Sequence, residues 1–130
     1  MIDKVLMETM QSFESRPELI YKPGDAIFTE GEQGDSMFGV ISGEVEFQIG
    51  GVVIEVMQPG EIFGIGAIVQ PDHRRASSAI AKTECRIAEL DRSHFLFAVQ
   101  QTPMFALEAM RVYSNRYRRL KVLYKQALQD

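Results

Sequence analysis

The chain has no tryptophan, one cysteine and two histidines, and each shortage removes a class of chemistry. Cys85 cannot close an internal disulfide, has no Cys or His neighbour at metal-ligand spacing, and suits a reducing compartment. His73 and His94 stand in no HxH, HExxH or Cys-His arrangement, and no serine lies in a GxSxG elbow. An enzyme is therefore not expected, nor is a metal or any other cofactor. No apolar run approaches the roughly 18 to 20 residues that a bilayer-spanning helix needs, and the opening MIDKVLMETMQ lacks the apolar stretch of a signal peptide. The expected location is cytoplasmic, with no membrane segment. Glycine is absent after Gly66, and residues 23 to 73 contain neither Lys nor Arg.

What is present is one domain's worth of chain: 130 residues, 45% apolar and 25% charged, long enough to bury a core without staples. Residues 1–130 are read as a single domain. The net charge of -4 is unevenly spread. Residues 23 to 73 carry nine acidic side chains, whereas residues 74 to 102 sum to +2 and residues 103 to 130 to +4. So large an acidic half lacks the broad positive footprint that non-specific nucleic-acid binding requires, and its carboxylates read as a solvated face. Nucleic acid is an unlikely partner for this chain.

All ten glycines lie between Gly24 and Gly66, so turns are frequent in the first half and rare at the end. They punctuate short apolar segments at the spacing of a sandwich or barrel. Strands are expected at Ile20 to Lys22, Ala26 to Thr29, Met37 to Ile41, Glu44 to Ile49, Val52 to Met57, Ser77 to Lys82 and Arg86 to Leu90. Glu44, Glu46 and Gln48 alternate with Val45, Phe47 and Ile49, which predicts one wet and one dry face, and Gly50-Gly51 then closes a hairpin. Ile2, Val5, Leu6, Met10 and Phe13 share a helical face. A second helix is expected from Ser93 to Gln101. Thr102-Pro103 supplies an N-cap and a first-turn proline for a long third one. There Ala106, Met110, Tyr113, Tyr117, Leu120, Tyr124 and Ala127 form a heptad-like seam, and Arg111, Arg116, Arg118, Arg119, Lys121 and Lys125 read as its wet face.

One stretch breaks the alternation: PGEIFGIGAIVQPDHRRASSAIA, residues 59 to 81. Its apolar run Ile62 to Val69, interrupted by Gly64 and Gly66, has two readings. It is a tight turn into a short helix whose free N–H groups face an anion closed off by a following arginine, or a buried strand followed by a surface loop. The residues alone leave both open.

The signature KPGDAIFTEGEQGDSMFGVISGEVEF at 22 to 47, followed by PGEIFG at 59 to 64 and RRASSAIA at 74 to 81, resembles the cyclic-nucleotide-binding domains of catabolite-activator-type regulators, protein kinase A regulatory subunits and nucleotide-gated channels. The resemblance runs from about residue 12 to 124. It implies a mainly β fold with flanking helices: an eight-stranded jelly-roll (double-stranded β-helix) barrel at about 19–90, with an N-terminal helix before it and C-terminal helices at about 93–128. It also implies a degenerate phosphate-binding cassette, FGIGA at Phe63, Gly64, Ile65, Gly66 and Ala67 together with Arg75, Ala76 and Ser77. Arg75, rather than its neighbour Arg74, would hold the cyclic phosphate, helped by the amide of Ala76. Arginine suits this because it offers a fork of charged donors.

The departure is Ile65. Relatives that bind nucleotide usually have a glutamate there to accept from the ribose 2′-hydroxyl, and leaving that hydroxyl unpaired costs about 1 to 3 kcal/mol. Ala76 leans towards cAMP over cGMP. Leu120, Leu123 and Tyr124 are the possible base contacts, with a dimer seam or barrel cover as the alternative use of the same residues. The implied function is a non-catalytic regulatory domain that binds cAMP, with cGMP possible, and signals through its last helix. The alternative is a domain of the same fold that binds no nucleotide and serves as a dimerisation or protein-interaction module.

Overall fold

The computed structural model describes residues 4–129. A helix α1 (Lys4–Phe13) leads into eight strands: β1 (Leu19–Tyr21), β2 (Ala26–Phe28), β3 (Ser36–Ser42), β4 (Val45–Ile49), β5 (Val52–Met57), β6 (Ile62–Phe63), β7 (Ser78–Ala81) and β8 (Cys85–Asp91). A one-turn helix α2 (Gly66–Val69) separates β6 from β7, and α3 (Arg92–Gln101) and α4 (Met104–Gln129) complete the chain. The strands form two antiparallel four-stranded sheets, β1-β8-β3-β6 and β2-β7-β4-β5, a jelly-roll sandwich with flanking helices. Gly50 and Gly51, with φ of 57° and 79°, make the tight β4–β5 turn that their lack of a Cβ permits.

The first sheet is buried on both faces along β3, β6 and the second half of β8. On the sandwich side Phe28, Phe38, Val40, Val45, Met57, Phe63, Ala79, Ala81, Cys85 and Ile87 form one core. On the other side Leu6, Met10, Met37, Ile62, Ile68, Ala88, Leu90, Ala98, Phe105 and Ala109 form a second, beneath α1, α3 and α4. This explains why Ser36 through Val40 are buried without alternation. Successive side chains simply enter different cores. Gly39 faces the helices, and the thioethers of Met7 and Met10 come within 3.4 Å of where its Cβ would stand.

The second sheet keeps the expected alternation at Val45 and Phe47 but loses it at its open end, where Ile49, Val52, Val53 and Ile54 are exposed. The expected helical face is seen at Leu6, Met10 and Phe13, while Ile2 and the side chain of Val5 lie outside the described residues. The long run Ile62 to Val69 is not one buried strand. It is a two-residue strand, a turn and a helical turn.

Helix α3 begins where Asp91 caps it, accepting from the His94 amide at 2.9 Å, the His94 ring at 2.7 Å and the Ser93 hydroxyl at 3.0 Å. Burial pushes the Asp91 carboxyl up, but these three donors outweigh it and hold the group below its ordinary value. A carboxylate with a lowered folded-state pKa adds stability above its unfolded pKa, which is lost as pH falls through the folded value. Asp91→Ala is expected to cost about 1 kcal/mol in urea unfolding at neutral pH, a cost that shrinks as acidification protonates the carboxylate.

Candidate functional site

Arg75 is placed by the backbone around it before its side chain makes any contact. Its amide donates to Glu32 O and its carbonyl accepts from Gly31 N, both at 2.8 Å, and Arg74 makes an isolated bridge with Gln33. His73 locks the approach. It holds the left-handed φ of 55°, its Nδ1 lies 2.8 Å from Ala67 O, and its carbonyl accepts from Gly34 N at 2.9 Å. The segment 31–34 and the tip of α2 thus clamp residues 73–75 from two sides.

So held, Arg75 points inward and is 6% exposed. Its Nη1 donates to Gly64 O at 2.8 Å, and its guanidinium carbon sits 4.3 Å from the Phe28 ring centre and 5.5 Å from that of Phe38. Cation–π contact of this kind recovers up to about 2 kcal/mol for a desolvated cation. The compensation is incomplete, because Nε is buried with no hydrogen-bond partner. Burial draws the guanidinium below its ordinary pKa, while Glu32, Asp35 and Glu89 draw it back. Arginine nonetheless stays protonated. The site therefore offers a buried positive charge with an unused donor. Space for it comes from two glycines. A Cβ on Gly34 would stand 2.6 Å from Nη2, and one on Gly64, which has φ +85°, would stand 3.0 Å from Nη1.

Neighbouring Arg74 is exposed and turns away to Gly31 O at 2.9 Å. Phe63 is core, packed among Phe28, Phe38 and Phe47. Gly66 is exposed and Ala67 buried within α2, while Ala76 is exposed and Ser77 buried just before β7. Ile65 packs against the helical core, so a glutamate at this position would set a carboxylate among hydrocarbon.

Helix α4 closes on the same cassette. The Tyr113 hydroxyl accepts from Ile65 N at 3.2 Å, and Arg116 donates to Ile62 O while stacking 4.6 Å from the Tyr113 ring centre. Glu61 Oε2 lies 3.9 Å from Arg116 and 3.8 Å from Arg119. Burial raises the Tyr113 hydroxyl, and Arg116 pulls it partly back. Reading Arg116 as wet face is thus corrected: it is 7% exposed. Glu55 is half-buried rather than fully solvated, with its Oε2 buried and without a partner. A basic residue near a seam and an acid in a strand give no sequence signal for either placement. Beyond Arg116 every described residue of α4 is exposed, Leu120, Leu123 and Tyr124 among them at 45%, 53% and 68%.

The sequence that builds this site matches a known family. Residues 18–102 match the model of the cyclic nucleotide-binding domain. The chain belongs to the cyclic nucleotide-binding domain family. It is 32% identical, over 101 residues, to a CRP-like cAMP-activated global transcriptional regulator of Mycobacterium tuberculosis, covering 74% of this chain and 45% of that one. It is 36% identical, over 78 residues, to a cAMP-dependent protein kinase regulatory subunit of Yarrowia lipolytica, covering 58% of this chain and 20% of that subunit. The chain therefore spans less than half the length of either relative. The fold of the Thermus thermophilus catabolite activator protein superposes with a TM-score of 0.75 at 22% identity, over 95% of this chain and 59% of that one. Among the described residues no helix is long and apolar enough to cross a membrane, and no cluster of three or more His, Cys, Asp or Glu could hold a metal ion.

The two cassette glycines should respond differently to a methyl group. Gly64→Ala forces an L-residue to positive φ against Arg75 and Phe38 and is expected to cost about 1 to 2 kcal/mol. Gly66→Ala meets nothing within 4 Å and should be neutral or stabilising by up to about 1 kcal/mol. Chemical denaturation of the two variants side by side checks the contrast.

Proposed function

We propose that this domain is a non-catalytic cyclic-nucleotide sensor in which Arg75 binds the cyclic phosphate. The observation that carries the reading is the buried guanidinium of Arg75 with an unused Nε donor. A singly charged phosphodiester supplies the acceptor that Nε lacks and a counter-charge in direct contact with the guanidinium, and charge-assisted bonds in a desolvated site are the strong kind. The amide of Ala76, an exposed residue, and the backbone of Gly64 to Ala67 complete the cradle. The ligand is cAMP in the first instance. Relatives described as cAMP-activated and cAMP-dependent support this choice, as does alanine at position 76.

Signalling runs through α4. Arg75 donates to Gly64, and Tyr113 receives from Ile65, so phosphate binding and the seat of α4 meet on adjacent residues of one loop. A phosphate that draws Arg75 off Gly64 disturbs that seat, and the ligand moves the helix to the extent that it binds the two arrangements with different affinity. Leu120, Leu123 and Tyr124, exposed on α4, are then the residues available to cover a base. In calorimetric titration cAMP should bind the wild type and fail to bind Arg75→Glu, a loss of about a hundredfold or more for reversing a buried charge at the phosphate. No heat with cAMP or cGMP at millimolar concentration would refute the sensor.

A second reading, self-association with no nucleotide, is favoured by the exposed seam. Met110, Tyr117, Leu120 and Tyr124 are 45% to 68% exposed along one stripe of α4, and stripes of this spacing pair as coiled coils. Both readings allow a homodimer through α4. If the seam pairs, Leu120→Glu should convert a dimer to a monomer in analytical ultracentrifugation; a sedimentation coefficient unchanged by the substitution would sink the helix-mediated dimer.

A further inference from the structure

The peptide unit between Gly64 and Ile65 is gripped from both sides. Its oxygen accepts from Arg75 Nη1 at 2.8 Å, and its N–H donates to the Tyr113 hydroxyl at 3.2 Å. The unit is trans, so its C=O and N–H point in opposite directions. Arg75 and Tyr113 therefore stand on opposite sides of one amide plane. Arg75, stacked on the core ring of Phe28, reaches it from the sandwich, and Tyr113, packed on the helical core, reaches it from the helices.

Little else fixes this plane. Gly64 has φ +85° and no Cβ, so the amide can rock about it, and the helical turn α2 starts only at Gly66. Hydrogen bonds in series polarise one another: an N–H that donates to Tyr113 leaves its own C=O a better acceptor for Arg75. The hydroxyl is itself held in place, because the Tyr113 ring lies 4.6 Å from the guanidinium carbon of Arg116, which donates to Ile62 O. Gly64 O thus occupies a donor of the guanidinium to which a phosphate would bind. With Arg75 6% exposed, a ligand that engages the whole fork must take Nη1 from Gly64.

We infer that Tyr113 is a brake on nucleotide binding: from α4, through the Gly64–Ile65 amide, its hydroxyl holds Arg75 on the protein's own carbonyl in competition with the phosphate. The inference rests on the sensor reading and adds to it the residue that sets the affinity. Coupling of this kind is reciprocal. Tyr113 docked on Ile65 weakens the ligand, and the ligand weakens Tyr113 on Ile65. A residue that only supports the site has the opposite sign, since its loss would loosen the site and weaken the ligand with it.

The two signs separate in Tyr113→Phe, which keeps the ring and loses the hydroxyl, when calorimetric titration with cAMP is paired with urea unfolding of the ligand-free chain. The variant should be less stable without ligand yet bind cAMP about three- to tenfold more tightly, the range for one hydrogen bond. Hydrogen exchange on the unsubstituted chain reads the same coupling from the other end: saturating cAMP should speed exchange of the Ile65 amide while the sandwich strands exchange more slowly. If Tyr113→Phe binds cAMP no more tightly than the wild type, or if cAMP protects the Ile65 amide or leaves it unchanged, the brake is overturned and the sensor stands. Heat from the variant alone supports brake and sensor together. Heat from neither overturns both.

Discussion

The buried guanidinium of Arg75 is the constraint around which the cassette is built. A cation enters an apolar interior only if its surroundings replace water, and here the replacement is divided among several elements. Phe28 on β2 and Phe38 on β3 supply ring faces, and the turn after β6 supplies the Gly64 carbonyl. Gly34 and Gly64 supply room that any side chain would fill. Glu32 and Asp35 supply countercharge from the loop before β3. The replacement stops one bond short, at Nε. That shortfall is what the proposed phosphate contact would fill.

The same loop that receives Arg75 also receives α4. Three consecutive contacts, Arg116 on Ile62, Arg75 on Gly64 and Tyr113 on Ile65, fall within four residues. Ile65 adds an apolar tie, its side chain lying against the helical core. Ile65 therefore adds to the attachment of the cassette to the helices.

Much of this was legible in the chain. Glycine-punctuated apolar segments located seven strands within a residue or two, because the alternation of Val45, Phe47 and their polar neighbours has only one physical use. The two-residue strand Ile62–Phe63 escaped that logic, being too short to show a period; it is held by pairing with Phe38 and Gly39. Arg75 was legible from its motif and from the register that follows it. Arg116, Tyr113 and Glu55 were not. Their roles depend on α4 crossing the cassette and on β5 turning one acid inward, and both are tertiary facts that propensity does not encode. The exposed half of α4 was read as a seam but could not be distinguished from barrel cover, since the same stripe satisfies either.

Gly39 gives the helical layer a particular mechanical character. Where α1 crosses β3 there is no side chain on the strand to seat in a groove, and the groups that press on that spot are the unbranched thioethers of Met7 and Met10, which refit easily to a shifted neighbour. The contact is a greased bearing rather than a cog. A small shift of α1 at this point meets no side chain on the strand, and the phenylalanine core lies on the other face of the sheet, out of its way.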